Sequence, residues 1–299
     1  MALNNSNNTF SNQNSFFSAP IRGLLSHNTR SLTSSTPQTQ ATSISRTFLR
    51  GKENPAPLHS VDLLLLQEVG EIWCPEALFT PEMTLAAFSV DQDNSHSSLA
   101  TFYCGKNLLL LDSEILQQGR VLFHSFSKKN EGTKIFVFNV YGIPGNSLAD
   151  RQDLAEMFRL IINKLHRIRE REPTAKIFVG GDYNCNSLAE NSPKAKMLQD
   201  FLMETQLFDL TENLPPSWKG KRGGEGATTF SKLDHIFSNT FDGFESFSFP
   251  NPDSDHQVIG IRPPPKEKKG DPNPPLQILF NKDFAGTEKS RNVCTKIGN

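Results

Sequence analysis

Blocks of apolar residues separated by polar turns run along most of the chain, and the spacing within each block predicts an element. Five blocks contain apolar runs and are predicted to be β-strands, and the first is a nearly continuous apolar run typical of a strand covered on both faces. They span residues 61–66, 134–141, 176–181, 233–238 and 257–261. Two other blocks, residues 154–168 and about 193–205, repeat apolar side chains at helical spacing. Strands interleaved with helices predict an α/β domain.

The two ends of the chain lack this pattern. Residues 1–50 contain no Asp, Glu or Lys and are rich in Ser, Thr, Asn and Gln, so they are not expected to form a core by themselves. We interpret them as a disordered low-complexity lead, although the same composition is also typical of an organellar transit peptide. The predicted folded domain spans residues 51–262. Residues 263–299 begin with a Pro-rich, mildly basic run and are predicted to form an extended tail.

Length, charge and cysteine usage exclude several protein classes. A chain of 299 residues can hold one catalytic domain with tails, and its net charge of -1 excludes a globally basic nucleic-acid binder. Cys74, Cys104, Cys185 and Cys294 show no zinc-site spacing and fit a reducing compartment. No apolar run is long enough to span a bilayer, so we expect no membrane association. The expected location is the nucleus or cytoplasm, or a mitochondrion or plastid if residues 1–50 are a transit peptide.

Acidic, amide, phenol and imidazole side chains stand at the ends of the predicted strands. They are Glu68, Tyr141, Asp182, Asn184, Asp234, Asp255 and His256. A rigid sheet can present such side chains from distant segments to one cleft. Hard carboxylate ligands suit Mg²⁺ or Mn²⁺. The pattern therefore predicts one cleft that could hold a divalent cation.

Five sequence blocks around these residues resemble the endonuclease/exonuclease/phosphatase family in content and order. They are Leu66-Gln67-Glu68, Asn139-Val140-Tyr141-Gly142-Ile143-Pro144, Gly180-Gly181-Asp182-Tyr183-Asn184, Leu233-Asp234-His235-Ile236 and Ser254-Asp255-His256. Each block alone is a weak signal, whereas the ordered set is specific. The resemblance implies a four-layer α-β-β-α sandwich of two packed mixed β-sheets flanked by helices. It also implies a metal-dependent phosphodiesterase.

The resemblance also implies which residues bind the metal and which residue activates the water. Glu68 is the central ligand of Mg²⁺, with Mn²⁺ as an alternative ion, and Asp255 is a second candidate ligand. Asp182 activates the attacking water. Asn184 lies two residues further on, so on an extended segment both side chains point to the same side and Asn184 can hold a phosphate oxygen.

The remaining residues of the set are expected to contact the phosphate and the substrate. His256 would meet the phosphate as a cationic donor while Asp234 orients its ring, and Tyr141 would hydrogen-bond the phosphate. The predicted substrate loop combines an aromatic side chain with cations, a composition suited to tracking phosphates. Its candidate binding residues are Trp218, Lys219, Lys221 and Arg222. A plain solvated loop is the alternative interpretation.

The substrate prediction rests on finer features of the same blocks. Residues 180–185, 139–141 and 228–230 look most like the endonuclease domain of non-LTR, LINE-type retrotransposons, and abasic-site DNA endonucleases share these residues. DNA is therefore the expected partner and nicking by water attack the expected reaction, with no obligate protein partner predicted. Alternatives are an enzyme of the same fold acting on RNA, phosphotyrosyl-DNA or an inositol phosphate or lipid, and a catalytically silent nucleic-acid-binding remnant.

One expected feature of the family is missing from the sequence pattern. Family members open with a strand that carries an Asn shortly before the Glu block. In residues 16–24 Pro20 stands where that Asn would be, and Asn28 and Asn54 are poor substitutes. The sequence therefore predicts a degenerate or lost first strand, and with it a weakened metal site.

Overall fold

The computed structural model describes residues 21–29, 61–70, 83–94, 97–221, 228–241, 243–251 and 254–264. In chain order the strands are β1 (Leu24–Asn28), β2 (Leu63–Gln67), β3 (Met83–Val90), β4 (Ser98–Cys104), β5 (Leu108–Gln117), β6 (Val121–Lys128), β7 (Lys134–Tyr141), β8 (Lys176–Asp182), β9 (Phe208–Asp209), β10 (Trp218–Lys221), β11 (Thr228–Ser231), β12 (Asp234–Ser238), β13 (Glu245–Pro250) and β14 (Gln257–Arg262). The helices are α1 (Leu148–Arg171) and α2 (Pro193–Thr205).

Most of the strands form two mixed sheets of six strands each. The first sheet has the order β13-β14-β1-β2-β4-β3, and the second has the order β5-β6-β7-β8-β12-β9. Strands β1 and β2 run parallel, as do β7 and β8, and the other neighbours are antiparallel. Strands β10 and β11 form a separate two-stranded ribbon.

The two sheets pack face to face around a shared apolar core. Its side chains come from both sheets and include Leu24, Leu63, Leu65, Ile135, Val137, Phe178, Ile236 and Ile259. Both helices lie against the opposite face of the second sheet, where Leu154, Phe158, Ile161, Phe201, Val179 and Phe237 share one cluster. In the described ranges no helix covers the first sheet. The predicted sandwich of two mixed sheets is confirmed.

The burial of strand β2 explains why its sequence is a nearly continuous apolar run. Leu63 and Leu65 point between the sheets, while Leu64 and Leu66 join an apolar cluster on the other face of the first sheet. All four side chains are fully buried. Because successive side chains of a strand point to opposite faces, a strand covered on both sides needs apolar residues at every position.

Helix α1 is longer than its apolar spacing predicts. Ser147 accepts a hydrogen bond from the Asp150 backbone N–H, and the Asp150 carboxylate accepts one from the Ser147 backbone N–H. This capping box satisfies amide groups that a helix start leaves unpaired, so the helix begins at Leu148. Neither helix in the described part of the chain is both long and apolar enough to cross a membrane.

The predicted lead over residues 1–50 is wrong for part of its length. Residues 24–28 form β1, which pairs with β14 on one side and β2 on the other and is fully buried. The strand was missed because only Leu24 and Leu25 are strongly apolar in its five residues. Residues 1–20 and 30–50 lie outside the described residues, as does the predicted tail beyond residue 264.

Candidate active site

The candidate site lies where strands of the two sheets end side by side. Asn28 ends β1 and Glu68 follows β2, whereas Tyr141 ends β7 and Asp182 ends β8. Each of these strand pairs is parallel, so the carboxyl ends of its two strands meet at one edge. Asp234 begins β12 directly opposite Asp182 in an antiparallel register. The topology therefore gathers residues from five distant segments.

Asn28 joins the two sheets at this edge. Its Nδ2 donates to Glu68 Oε1 at 2.9 Å and to Asp182 Oδ2 at 2.8 Å. The amide thus takes the place that the sequence pattern left empty, and the prediction of a degenerate first strand with Asn28 as a poor substitute is wrong. Asn28 lies 40 residues before Glu68, and the polar residues Ser26 and His27 separate it from the apolar pair Leu24-Leu25, so little in the local sequence marked it.

Tyr141 and Glu68 form the second link between the sheets. The Tyr141 hydroxyl donates to Glu68 Oε1 at 2.7 Å, and the Arg120 guanidinium lies 4.8 Å from the centre of the Tyr141 ring. Burial, together with the Glu68 charge, raises the pKa of Tyr141 above its usual value. Tyr141 therefore stays a neutral hydrogen-bond donor at any physiological pH.

Asp182, Asp234 and His256 form a buried chain of charged groups. His256 Nδ1 lies 2.8 Å from Asp234 Oδ2, and its Nε2 lies 3.9 Å from Asp182 Oδ2. Burial alone would lower the pKa of His256, but the Asp234 charge and hydrogen bond outweigh it and raise the pKa to about 9. Burial and the Asp234 charge raise the pKa of Asp182 to about 7. The geometry supports an imidazolium held by one carboxylate beside a second carboxylate that titrates near neutrality.

The backbone turns sharply at Asn184, two residues after Asp182 at the end of β8. Its φ of 50° is left-handed, as is the 52° of Glu68, and non-glycine residues adopt this conformation mainly where surrounding contacts enforce it. The Asn184 backbone N–H donates to Asp182 Oδ1 at 2.8 Å, and its Nδ2 donates to the Gly142 carbonyl at 3.1 Å. A Cβ on Gly142 would lie 2.0 Å from the Tyr183 carbonyl oxygen, so only glycine permits this approach.

The ribbon of β10 and β11 is fixed to the site by Trp218. Its indole Nε1 donates to Asp255 Oδ2 at 2.8 Å, and the Lys219 backbone N–H donates to the Asp255 carbonyl at 3.1 Å. The Lys219 side chain is exposed. Of the other predicted loop residues, Lys221 has its backbone in β10 and Arg222 lies outside the described residues.

These elements enclose an open cleft of about 280 Å³. Its lining residues are Glu68, Tyr141, Pro144, Asn184, Trp218, Ser231, Leu233, Asp255 and His256. Asp182 and Asp234 are buried and lie next to His256, which is one of the lining residues. The structure thus brings the predicted catalytic and metal residues together. Pro144, Ser231 and Leu233 were not predicted as site residues. Pro144 and Leu233 belong to the resembling blocks but carry no ionisable group, and Ser231 lies two residues before one of the blocks.

Two positions in the site could hold a divalent metal, one among Asp182, Asp234 and His256 and the other at Glu68. Asp182, Asp234 and His256 place ligand atoms within 4.8 Å of one another, but His256 Nδ1 is already hydrogen-bonded to Asp234. Glu68 is half-buried at the cleft, and its Oε2 has no partner among the described residues. Mg²⁺ prefers oxygen ligands and keeps several waters, so the Glu68 side of the cleft fits it better.

No protein-family model matches the chain, and no curated protein matches it. AP endonuclease LMAP from Leishmania major superposes with a TM-score of 0.64 at 16% identity, over 82% of this chain and 89% of that one. The endonuclease domain of TRAS1, a telomere-specific non-LTR retrotransposon, gives 0.54 at 14% identity, over 82% and 99%.

A phosphatase has the same architecture. The mannosyl-6-phosphatase Bt3783 of Bacteroides thetaiotaomicron superposes with a TM-score of 0.55 at 16% identity, over 80% of this chain and 98% of that one. Identities this low carry the fold and leave the substrate open. Together with the site geometry, the superpositions show that this chain has the endonuclease/exonuclease/phosphatase fold.

Proposed function

We propose that this protein is a metal-dependent phosphodiesterase that nicks DNA by water attack on a phosphodiester. The observation that carries the proposal is that Glu68 and His256 line one cleft, with Asp182 buried next to His256 and Asn28 hydrogen-bonded to both Glu68 and Asp182. Phosphodiester hydrolysis needs an oriented water and cationic groups facing the phosphate. This cleft has residues suited to both tasks.

Each residue has a part that follows from its contacts. Asp182, with a pKa raised to about 7, can take a proton from water near neutral pH. His256, kept cationic by Asp234, donates through Nε2 to a phosphate oxygen. Tyr141 lines the cleft and donates a hydrogen bond from its hydroxyl to Glu68, which holds that carboxylate in place. When bound, Mg²⁺ or Mn²⁺ would neutralise phosphate charge, held by Glu68 with Asp255 as the second candidate ligand.

The preference for DNA rests on the ribbon beside the cleft. Trp218 lines the cleft, Lys219 is exposed, and Phe230 on the paired strand is 57% exposed. Exposed aromatic and cationic side chains can contact bases and phosphates. The structures named above include an AP endonuclease and a retrotransposon endonuclease domain. A second candidate is phosphomonoester hydrolysis, because the same fold serves a mannosyl-6-phosphatase.

The proposal is tested by plasmid nicking with Mg²⁺. Wild-type protein should convert supercoiled plasmid to the open circle, and Glu68→Ala should be about 100-fold slower, because it loses a ligand whose removal costs metal affinity and activity. Glu170→Ala, an exposed change on α1, is the matched control. Release of inorganic phosphate from a sugar phosphate without nicking would favour the second candidate. DNA binding without turnover would indicate a silent remnant.

Asn28 should be required for full nicking activity, although it makes no predicted contact with the substrate. Asn28→Ala removes both hydrogen bonds that hold Glu68 and Asp182, so nicking should fall about 10- to 100-fold, the usual cost of losing such support. The Mg²⁺ concentration for half-maximal nicking should rise with it. Asn191→Ala, an exposed amide, should change neither quantity. Unchanged activity of Asn28→Ala would show that the link between the sheets is dispensable.

A further inference from the structure

Lys194 is a buried cation that none of the roles above uses. Its side chain lies near the start of α2 and is 4% exposed. Nζ donates to three backbone carbonyl oxygens: those of Ile143, Asn184 at 2.8 Å and Gly145 at 3.1 Å. In the described residues it has no salt bridge to a carboxylate. Within the described part of the chain, all of its hydrogen-bond acceptors are therefore backbone carbonyls.

The three carbonyls belong to the two loops that form one wall of the cleft. Ile143 and Gly145 follow Tyr141 at the end of β7, and Asn184 follows Asp182 at the end of β8. The loops also touch directly, since Asn184 Nδ2 donates to the Gly142 carbonyl. The hydrogen bonds of Lys194 Nζ form a second connection between the same two loops. One ammonium thus fixes the spacing between the Tyr141 loop and the Asn184 loop.

A cation at this position is costly to the fold. Burial lowers the pKa of Lys194, which means that the charged form is disfavoured there. The start of a helix carries partial positive charge, so a lysine in the first turn of α2 is also disfavoured by the helix dipole. Lys196, two residues further along α2, lies in the same first turn but is exposed, so it does not bear the cost of burial. A requirement for packing alone would be met by an apolar side chain.

We infer that Lys194 is a positioning residue of the active site, which holds the Asn184 turn and the loop after Tyr141 in register for the reaction. This inference rests on the proposed function. Asn184 lines the cleft and donates its backbone N–H to Asp182, so a shift of its turn moves both the cleft wall and a hydrogen bond of the water-activating carboxylate. Displacements of about 1 Å can cost on the order of 100-fold in rate.

The test compares Lys194→Met, Lys194→Gln and Lys194→Arg with the control Lys196→Met in the full-length chain. Plasmid nicking should show kcat lowered about 10- to 100-fold in Lys194→Met with KM little changed, because the loops are misplaced while the substrate surface remains. Lys194→Arg keeps the donors and should recover part of kcat. Lys196→Met should match the wild type. Equal kcat in Lys194→Met and Lys196→Met would overturn the inference.

Hydrogen exchange provides a readout that does not depend on DNA cleavage. Backbone amides of residues 142–146 and 183–187 should exchange faster in Lys194→Met than in Lys196→Met, while those of β2 and β14 stay unchanged. Lys194→Gln answers the same question if the Met variant does not fold. If wild-type protein fails to nick DNA, the proposed function fails but the exchange result still decides whether Lys194 fixes the loops. Unchanged exchange in both loops would refute it.

Discussion

Replacing Asp182 with Asn should lower the rate of DNA nicking by about 10²- to 10⁴-fold, the range expected when a general base is lost. Asn keeps the size of the side chain but cannot take a proton from water. Asp182 is 1% exposed, and its two oxygens accept hydrogen bonds from Asn28 and Asn184. Asn has one acceptor oxygen, so the variant loses one of these two bonds while the packed volume stays the same. Single-turnover nicking with saturating protein measures the chemical step directly.

Stability measurements separate this loss from unfolding. The pKa of Asp182 is raised from 3.8 to about 7, so its charged form is disfavoured in the folded protein. The contribution of Asp182 to the free energy of unfolding is therefore fully present below pH 3.8 and is lost as the pH rises to about 7. Without metal at pH 8, Asp182→Asn should be at least as stable as the wild type. Asp153→Asn, an exposed change on α1, is the control and should alter neither rate nor stability.

The pH profile of nicking provides an independent check on Asp182. Activity should rise as the carboxyl loses its proton near pH 7, and a cation bound at Glu68 would move this limb lower. In Asp182→Asn, the rise in nicking activity near pH 7 should be absent. A variant that nicks at the wild-type rate would mean that another group activates the water.

Replacing His256 with Gln should lower nicking by about 10²- to 10³-fold, the usual cost of losing a donor to a developing oxyanion. The neutral amide cannot supply the positive charge that Asp234 maintains on the imidazole. Because the phosphate charge grows toward the transition state, kcat should fall more than KM rises. His166→Gln on the exposed side of α1 is the matched control.

His256 should also set the alkaline limb of the profile. Its pKa is raised to about 9, so the imidazolium is present below that value and activity should decline as the pH passes through it. His256→Gln should show residual activity without this decline. Asp234→Asn should shift the decline to lower pH, because the carboxylate that raises the pKa is gone. An alkaline limb that persists in His256→Gln would assign it to a different group.

Several strands were predictable because their information is local. Strand β7 was predicted at its observed bounds, Lys134–Tyr141, and β8 and β12 to within one residue. Strands β7 and β8 are covered on both faces, so most of their consecutive positions are apolar. Strands β3 to β6 were not predicted. Strand β5 shows why, since much of it is exposed and carries Asp112, Ser113 and Glu114 in its middle.

The candidate residues were recognisable for a different reason. Asp182 and Asp255-His256 lie beside apolar strands, in two of the five blocks that resemble the endonuclease/exonuclease/phosphatase family. Asn28 has no such local mark, because its strand contains Ser26 and His27 and is buried only through pairing with β2 and β14. Its bond to Asp182 spans 154 residues. No local pattern encodes a contact over that distance.

The sequence by itself determined the α/β pattern and the order of the chemical blocks, because hydrophobic periodicity and strand-end residues are properties of neighbouring positions. Tertiary structure alone decided that Asn28 bridges the sheets, that Trp218 binds Asp255 and that Lys194 joins two loops. It also decided the raised pKa values of Asp182 and His256. Burial and charge proximity exist only after distant segments have packed together, so these properties appear with the fold.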